Sequence, residues 1–283
     1  MRAKRYGYTF VMALHLAVWS QLRSARHALS WALSERLGKF RRAAPEKPAV
    51  HLALEGSAQH VRLDELCTRY KWRFETQQDA TGALQSYEYL DYLDQAQSHW
   101  KLPAQAPGLV QDVGCASFTY AAALHAFFKP NELVGIELEG YRRLSGGVNR
   151  AEKATSQVSR LANTAFVIAD YTLYRRSADR ITAFFPFVTP QPVLGWRLPL
   201  SVLRPAALFA AIRGNLNPDG ELWMVNHSET EASVAAQFAG DAGLHCAHVH
   251  VAQSVFRERT NAVVVSLWRY PSPNDATAKT PRR

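Results

Sequence analysis

The stretch from Leu109 to Phe118 holds the residues best placed to do chemistry. It reads as a buried strand with an acid, Asp112, near its end and a break at Gly114, and an apolar helical run from Tyr120 to Phe128 follows at once. A strand, a glycine turn and a helix in that order put backbone N–H groups and a helix N-terminus beside whatever binds at the strand's carboxyl end. The Asp112 carboxylate narrows the choice of ligand. A dinucleotide pyrophosphate would want no carboxylate there, whereas a cationic or hydroxyl-rich head group would tolerate one. The dinucleotide fingerprint also needs glycines where this chain has Gly114, Ala116 and Thr119. Both observations favour S-adenosyl-L-methionine over NAD.

Other candidates are spread along the chain. His227 stands just after the apolar run that ends at Val225 and Asn226, and a neutral imidazole there could take a proton from a hydroxyl near pH 7. The alternative is that Asn226 and His227 only lead into a helix cap at Ser228. Phe185, Phe187 and Trp196 lie in an apolar, proline-rich segment suited to a hydrophobic substrate or a lid, and Asn226 is the nearest polar partner for such a substrate. Tyr171 and Tyr174 are followed by Arg175 and Arg176, which could anchor an acidic substrate or simply be solvated. Cys246, His248 and His250 share a face if residues 246–253 form a regular strand, with His245 pointing away. Polar alternation on an edge strand accounts for them without a metal.

Alternating elements must position these residues. Strands are expected at 109–113, 133–137, 165–169, 181–185, 221–226, 246–253 and 262–269. Helices are expected at about 60–72, 79–99, 119–128, 139–160, 201–215 and 229–242, with a turn at 216–220. Ser228 and Glu231 form a capping-box pattern for the last helix. Strands alternating with helices give a parallel sheet covered on both faces. The last strand follows its predecessor by a short connection and so must run antiparallel. Tyr87, Tyr89, Tyr92 and Trp100 have a spacing more often found in a core than in a substrate pocket, and Glu139, Tyr141, Arg142 and Arg143 are placed on the surface of the 139–160 helix.

This order of elements resembles the class I S-adenosylmethionine-dependent methyltransferases over about residues 85–270. Asp112 to Phe118 is similar to that family's first motif, an acid followed by a Gly-x-Gly-x-Gly loop. Glu137 matches the acid that holds the ribose hydroxyls, and Asp170 with Tyr171 matches the adenine position. Leu216 to Leu222 resembles the turn before the fifth strand. The resemblance implies a three-layer Rossmann-like methyltransferase sheet, mostly parallel with an antiparallel last strand, plus an N-terminal helical extension. It implies S-adenosyl-L-methionine as cofactor, held by Asp112, Gly114, Cys115, Ala116, Glu137, Asp170 and Tyr171. The acceptor would be a small, partly apolar molecule near Phe185, Phe187, Trp196 and Asn226, with His227 as catalytic base. The amide or acid that would hold an amino substrate is missing after the fourth strand, which argues against methylation of a base or of glutamine. Ala116 and Phe118 replace two of the three loop glycines. Alanine costs little unless the backbone needs a positive φ, and phenylalanine could narrow the site. The other reading is a methyltransferase-like domain without cofactor, acting as a binding or scaffold module.

Charge divides the chain. Residues 1–47 hold ten Lys/Arg against two acids, a net +8 of the total +9, so the remaining 236 residues are close to neutral. That gives nucleic-acid binding by the main domain no support. The arm begins with a basic pentapeptide and an apolar run at 8–19, too short to cross a bilayer and lacking a clear signal-cleavage site. Its continuation to Phe40 has helical spacing of Arg/Lys with Leu, Trp and Ala. It reads equally as a helix on an anionic membrane surface or as one packed on the domain. The expected divisions are this arm (1–47), a helical extension or lid (48–107), the methyltransferase-like domain (108–270) and a flexible tail (271–283), with a linker at Ala43 to Pro48. Three scattered cysteines (Cys67, Cys115, Cys246) fit a reducing, cytoplasmic setting.

Overall fold

The computed structural model describes residues 3–37, 48–49, 52–54, 56–104, 106–144 and 147–271, and for 3–17, 34 and 37 the backbone alone. Apart from Pro48 and Pro271, the expected linker and tail lie outside the described residues.

Seven strands form one sheet: β1 (Leu109–Val113), β2 (Glu132–Glu137), β3 (Thr164–Ile168), β4 (Ala178–Phe184), β5 (Leu216–Asn226), β6 (His245–Ala252) and β7 (Val263–Arg269). Their order is β3-β2-β1-β4-β5-β7-β6. The first five run parallel, and β7 lies antiparallel between β5 and β6, as the short connection from β6 requires. The described helices are α1 (Ala3–Leu37), α2 (Ser57–Tyr70), α3 (Ala80–Trp100), α4 (Ala121–Phe128), α5 (Arg150–Val158), α6 (Pro190–Gly195), α7 (Pro205–Asn215) and α8 (Glu229–Asp241).

Two apolar layers hold the sheet. On one face α2, α3 and α4 pack over Val110, Leu133, Trp223 and Val265. On the other, α7 and α8 pack over Ile181, Leu222 and Met224. Alternation along β5 divides its side chains between the layers, with Trp223 and Val225 on one and Leu222 and Met224 on the other. Residues 57–100 thus share a continuous core with the sheet through Leu66, Tyr87 and Leu93.

Three expected boundaries move. The 139–160 helix begins only at Arg150, where Asn149 and Glu152 form a reciprocal capping box. Glu139 is buried in the loop before it, not on a helix surface. The 201–215 helix is a 3-10 turn at Leu200–Val202 followed by α7, whose first residue is Pro205. The 216–220 turn is a bulge inside β5, where pairing jumps from Ala178–Leu216 to Arg180–Glu221.

Another bulge changes β6. Pairing passes from Cys246–Trp268 to His248–Leu267 with one residue extra. A one-residue slip reverses the faces. Cys246 therefore packs with the α7–α8 layer, while His248 and His250 lie against Trp100 and His99 of α3. The expected common face of Cys246, His248 and His250 does not exist.

Candidate active site

The carboxyl ends of β1, β2, β4 and β5 open into a cavity of about 800 Å³. Gly114, Ala116, Ser117 and Tyr120 line it from the β1–α4 side, Glu137 and Asp170 from β2 and β3, and Phe184 to Phe187 with His227 from β4 and β5. Trp196, Leu198 and Val202, from the segment after β4, complete the lining. Of the residues expected from sequence, Gly114, Ala116, Glu137, Asp170, Tyr171, Phe185, Phe187, Trp196 and His227 meet here. Asp112, Cys115 and Asn226 are fully buried and do not line the cavity.

The turn after β1 takes the backbone its glycine pattern would demand without having the glycines. Gly114, Ala116 and Phe118 have φ of 71°, 52° and 50°. Only the first is free of side-chain strain in that region. Phe118 turns inward instead of narrowing the cavity, and seats with Cys115 on Gly135 of β2. A Cβ at Gly135 would stand 2.6 Å from the Phe118 ring and 2.9 Å from Cys115 Sγ. Open space remains over Gly114.

Asp112 accepts hydrogen bonds from Tyr120 Oη (2.6 Å) and Thr182 Oγ1 (2.5 Å). Burial outweighs those donors and raises its carboxyl to about 7. The Tyr120 ring stands between it and the cavity, so Asp112 supports the wall and makes no direct contact. Glu137 accepts from the backbone N–H of Ala116 (2.7 Å) and of Glu139 (2.8 Å). The Arg150 guanidinium reaches both Glu137 (3.3 Å) and Glu139 (3.0 Å) and stacks over the Trp196 ring at 4.9 Å. Arg142 joins the cluster by donating to Glu139 (2.9 Å) and to the Trp196 carbonyl. Asp170 holds its own turn, accepting from Thr172 N–H and Oγ1, and pairs with Arg204. Partial burial raises its carboxyl, but these donors outweigh that and leave it below the ordinary aspartate value. Arg175 caps nearby carbonyls and Arg176 pairs with Glu132, so neither reaches the cavity. Arg204 does.

His227 is not placed as a base. Burial, then the charges of Arg259 and Arg257, bring its pKa down to about 4. Arg259 Nη1 lies 3.1 Å from Nδ1. A guanidinium can only donate, so Nδ1 accepts and Nε2 carries the proton of the neutral ring. The imidazole lies flat on Phe185 (3.8 Å between centroids, 6° between planes). It offers an N–H donor, not a proton acceptor. Ser228 accepts from Glu231 N–H, while the Glu231 carboxylate reaches back to His227 N–H, so half of the expected capping box is displaced by one residue.

Sequence reasoning missed the support for His227. Glu88 of α3 is buried and binds Arg259 (2.7 Å to Nε) beside Tyr92 Oη. The guanidinium is thereby held over Phe185 at 4.9 Å. Tyr89, from the same helix, lines the cavity and stacks on Phe184. A glutamate within an otherwise aromatic helical stripe was the available signal. Asn226 shares the sheet face of Leu222 and Met224, and neither end of its buried amide has a partner among the described residues.

The strand order, the antiparallel β7 and a cavity at the strand ends together decide the architecture. The fold is that of the S-adenosylmethionine-dependent methyltransferases. No family model and no curated protein sequence matches the chain. Among solved structures it is similar to a S-adenosylmethionine-dependent methyltransferase from Clostridium acetobutylicum, with 9% identity over 65% of this chain and 92% of that one and a TM-score of 0.46. A TehB-like methyltransferase from Corynebacterium glutamicum has 13% identity over 75% and 100%, with a TM-score of 0.42. A B. subtilis tRNA methyltransferase has 12% over 65% and 69%, with a TM-score of 0.44. These values assign no acceptor to the present chain.

Proposed function

We propose that the chain is an S-adenosylmethionine-dependent methyltransferase acting on a small, partly apolar acceptor. One observation carries this reading. A single cavity gathers the 114–117 backbone, Glu137 and Asp170, which the family resemblance assigns to the cofactor, beside the aromatic wall of Phe185, Phe187 and Trp196 expected to hold the acceptor. The donor set fits the group. Glu137 uses three acceptor sites on Ala116, Glu139 and Arg150 and retains lone-pair capacity toward a hydroxyl. Asp170 stands beyond β3 as an acceptor for an amino group, and the space over Gly114 admits a chain close to the backbone. When bound, the cofactor supplies a methyl group on a positively charged sulfur.

The protein's own task is then alignment and exclusion of water, because displacement at a methyl carbon needs the nucleophile in line and at contact distance. Phe184, Phe185, Phe187 and Trp196 provide a dry wall for the acceptor. His227 orients by donating from Nε2, and no side chain is assigned as base. Transfer of labelled methyl groups from S-adenosylmethionine, followed through chloroform, aqueous-small-molecule and macromolecule fractions of a cell extract, tests the acceptor class. Label in a small-molecule fraction that disappears with Glu137→Ala is expected. Label in the nucleic-acid fraction alone would contradict it.

A scaffold without cofactor is the second reading. It is favoured by one feature, the engagement of both Glu137 oxygens by the protein itself. Under that reading Glu137→Ala leaves partner binding unchanged and no cofactor affinity exists to be lost.

A further inference from the structure

The N-terminal helix α1 touches the rest of the protein along one side. Ser24 is buried there, its hydroxyl accepting from the Leu200 backbone N–H at 2.8 Å. His27 and Trp31 are half-buried on the same side, where the helix packs on α6 and the 3-10 turn that close the cavity. With 3.6 residues per turn, Val18, Leu22 and Leu29 fall on the opposite side, and Leu33 stands at its edge beside a cleft shared with Tyr141 and Arg143. All four are exposed, Leu29 by 71%. Ala25 and Ala32 lie between them and are exposed too, which makes a continuous apolar stripe roughly 22 Å long. Trp19, Arg23 and Arg26 border the stripe and Arg36 stands at its end, all exposed.

The two readings of this segment from sequence are therefore not alternatives. The helix packs on the domain through Ser24, His27 and Trp31 and turns its large aliphatic residues outward. Soluble surfaces seldom carry such a stripe without a partner. Charge selects the partner. Residues 1–47 carry ten Lys/Arg and two acids. A second copy laid against the same face would bring like charges together. An anionic lipid surface takes the leucines into its acyl boundary and the arginines among its headgroups. Among the described residues no helix is long and apolar enough to cross a membrane, so α1 would lie in the plane of the surface.

We infer that the outer face of α1 docks on an anionic lipid bilayer while its inner face rests on the segment covering the cavity. This goes beyond the methyltransferase reading and requires nothing of the cofactor site. The test is flotation of the full chain with vesicles of phosphatidylcholine alone and of phosphatidylcholine mixed with phosphatidylglycerol. Binding to the mixed vesicles should be at least about ten-fold tighter than to the neutral ones and should weaken as salt rises. The double substitution Leu22→Glu/Leu29→Glu should abolish it, and since both positions are exposed and Glu is a good helix former, the thermal melt should be unchanged. Equal flotation of the parent and the variant would overturn the inference, as would no flotation of either. Light scattering that finds a dimer converted to monomer by the same substitutions, without vesicle binding, would assign the stripe to a second copy instead.

Discussion

Ala116 and Phe118 share a left-handed backbone conformation and differ in what their side chains touch. The Ala116 methyl group faces the cavity side of the turn, so Ala116→Gly relieves strain and removes little else. It should stabilise the protein by about 1 kcal/mol in urea denaturation. Phe118 is fully buried on Gly135, and Phe118→Gly should instead destabilise by about 3 kcal/mol, because lost burial exceeds relieved strain. A gain in both variants would mean that the Phe118 ring packs loosely. His227 offers a second residue-scale test. Arg259→Gln removes a positive neighbour, so the imidazole pKa, read by NMR, should rise from about 4 while staying below 6.5, since burial is the larger cause. An unchanged value would break the assigned Arg259–His227 contact. The positions of Gly114, Glu137 and Asp170 were legible in the sequence because each stands at or just beyond the end of a strand. The buried state of Asp112 and Cys115 was not, because it depends on residues further along, Tyr120 bonded to Asp112 and Gly135 of β2 against Cys115.

Elements were legible wherever hydrophobic period and caps agreed. β1, α3, α4 and α8 stand within a few residues of expectation. The segment after Glu137 was misread as helix because polar residues with helical spacing say nothing about burial, and Glu139 with Arg142 and Arg150 forms a buried ion cluster that no local pattern announces. The bulge in β6 was equally hidden, since one extra residue leaves the composition unchanged while turning Cys246 away from His248. Gly135 is the element-scale device that matters most, because β2 accepts the β1–α4 turn only where a side chain is missing. Gly135→Ala places a methyl group 2.6 Å from Phe118, and overpacking of this kind should lower stability by about 1–3 kcal/mol. The same change should weaken S-adenosylhomocysteine binding through the displaced turn. A variant as stable as the parent would show that the turn can shift freely.

At the scale of the molecule, the described residues form a sheet between two apolar layers, with α1 packed outside them and a cavity where the strands end. Two groups, buried Asp112 and half-buried His227, contribute to its pH response with opposite signs. Asp112 titrates near 7 when folded against an ordinary 3.8, so it favours the folded state at low pH, and that contribution is lost as pH rises through this window. His227 is depressed to about 4 from 6.5, so stability is lost as pH falls between those values. Asp112→Asn removes the first effect alone. The melting temperature of the variant relative to the parent should therefore be higher at pH 8 than at pH 5, and a difference independent of pH would contradict the buried carboxyl. The placement of the helical arm could not be read from sequence, since amphipathicity shows that two faces differ without saying which is covered. The most direct measurement for the whole account is calorimetric titration of S-adenosylhomocysteine into the full chain and its Glu137→Gln variant. Micromolar binding by the parent, weakened at least about ten-fold by the substitution, is the expected result. No binding to the folded parent, or equal binding by both, would contradict a cofactor seated on Glu137.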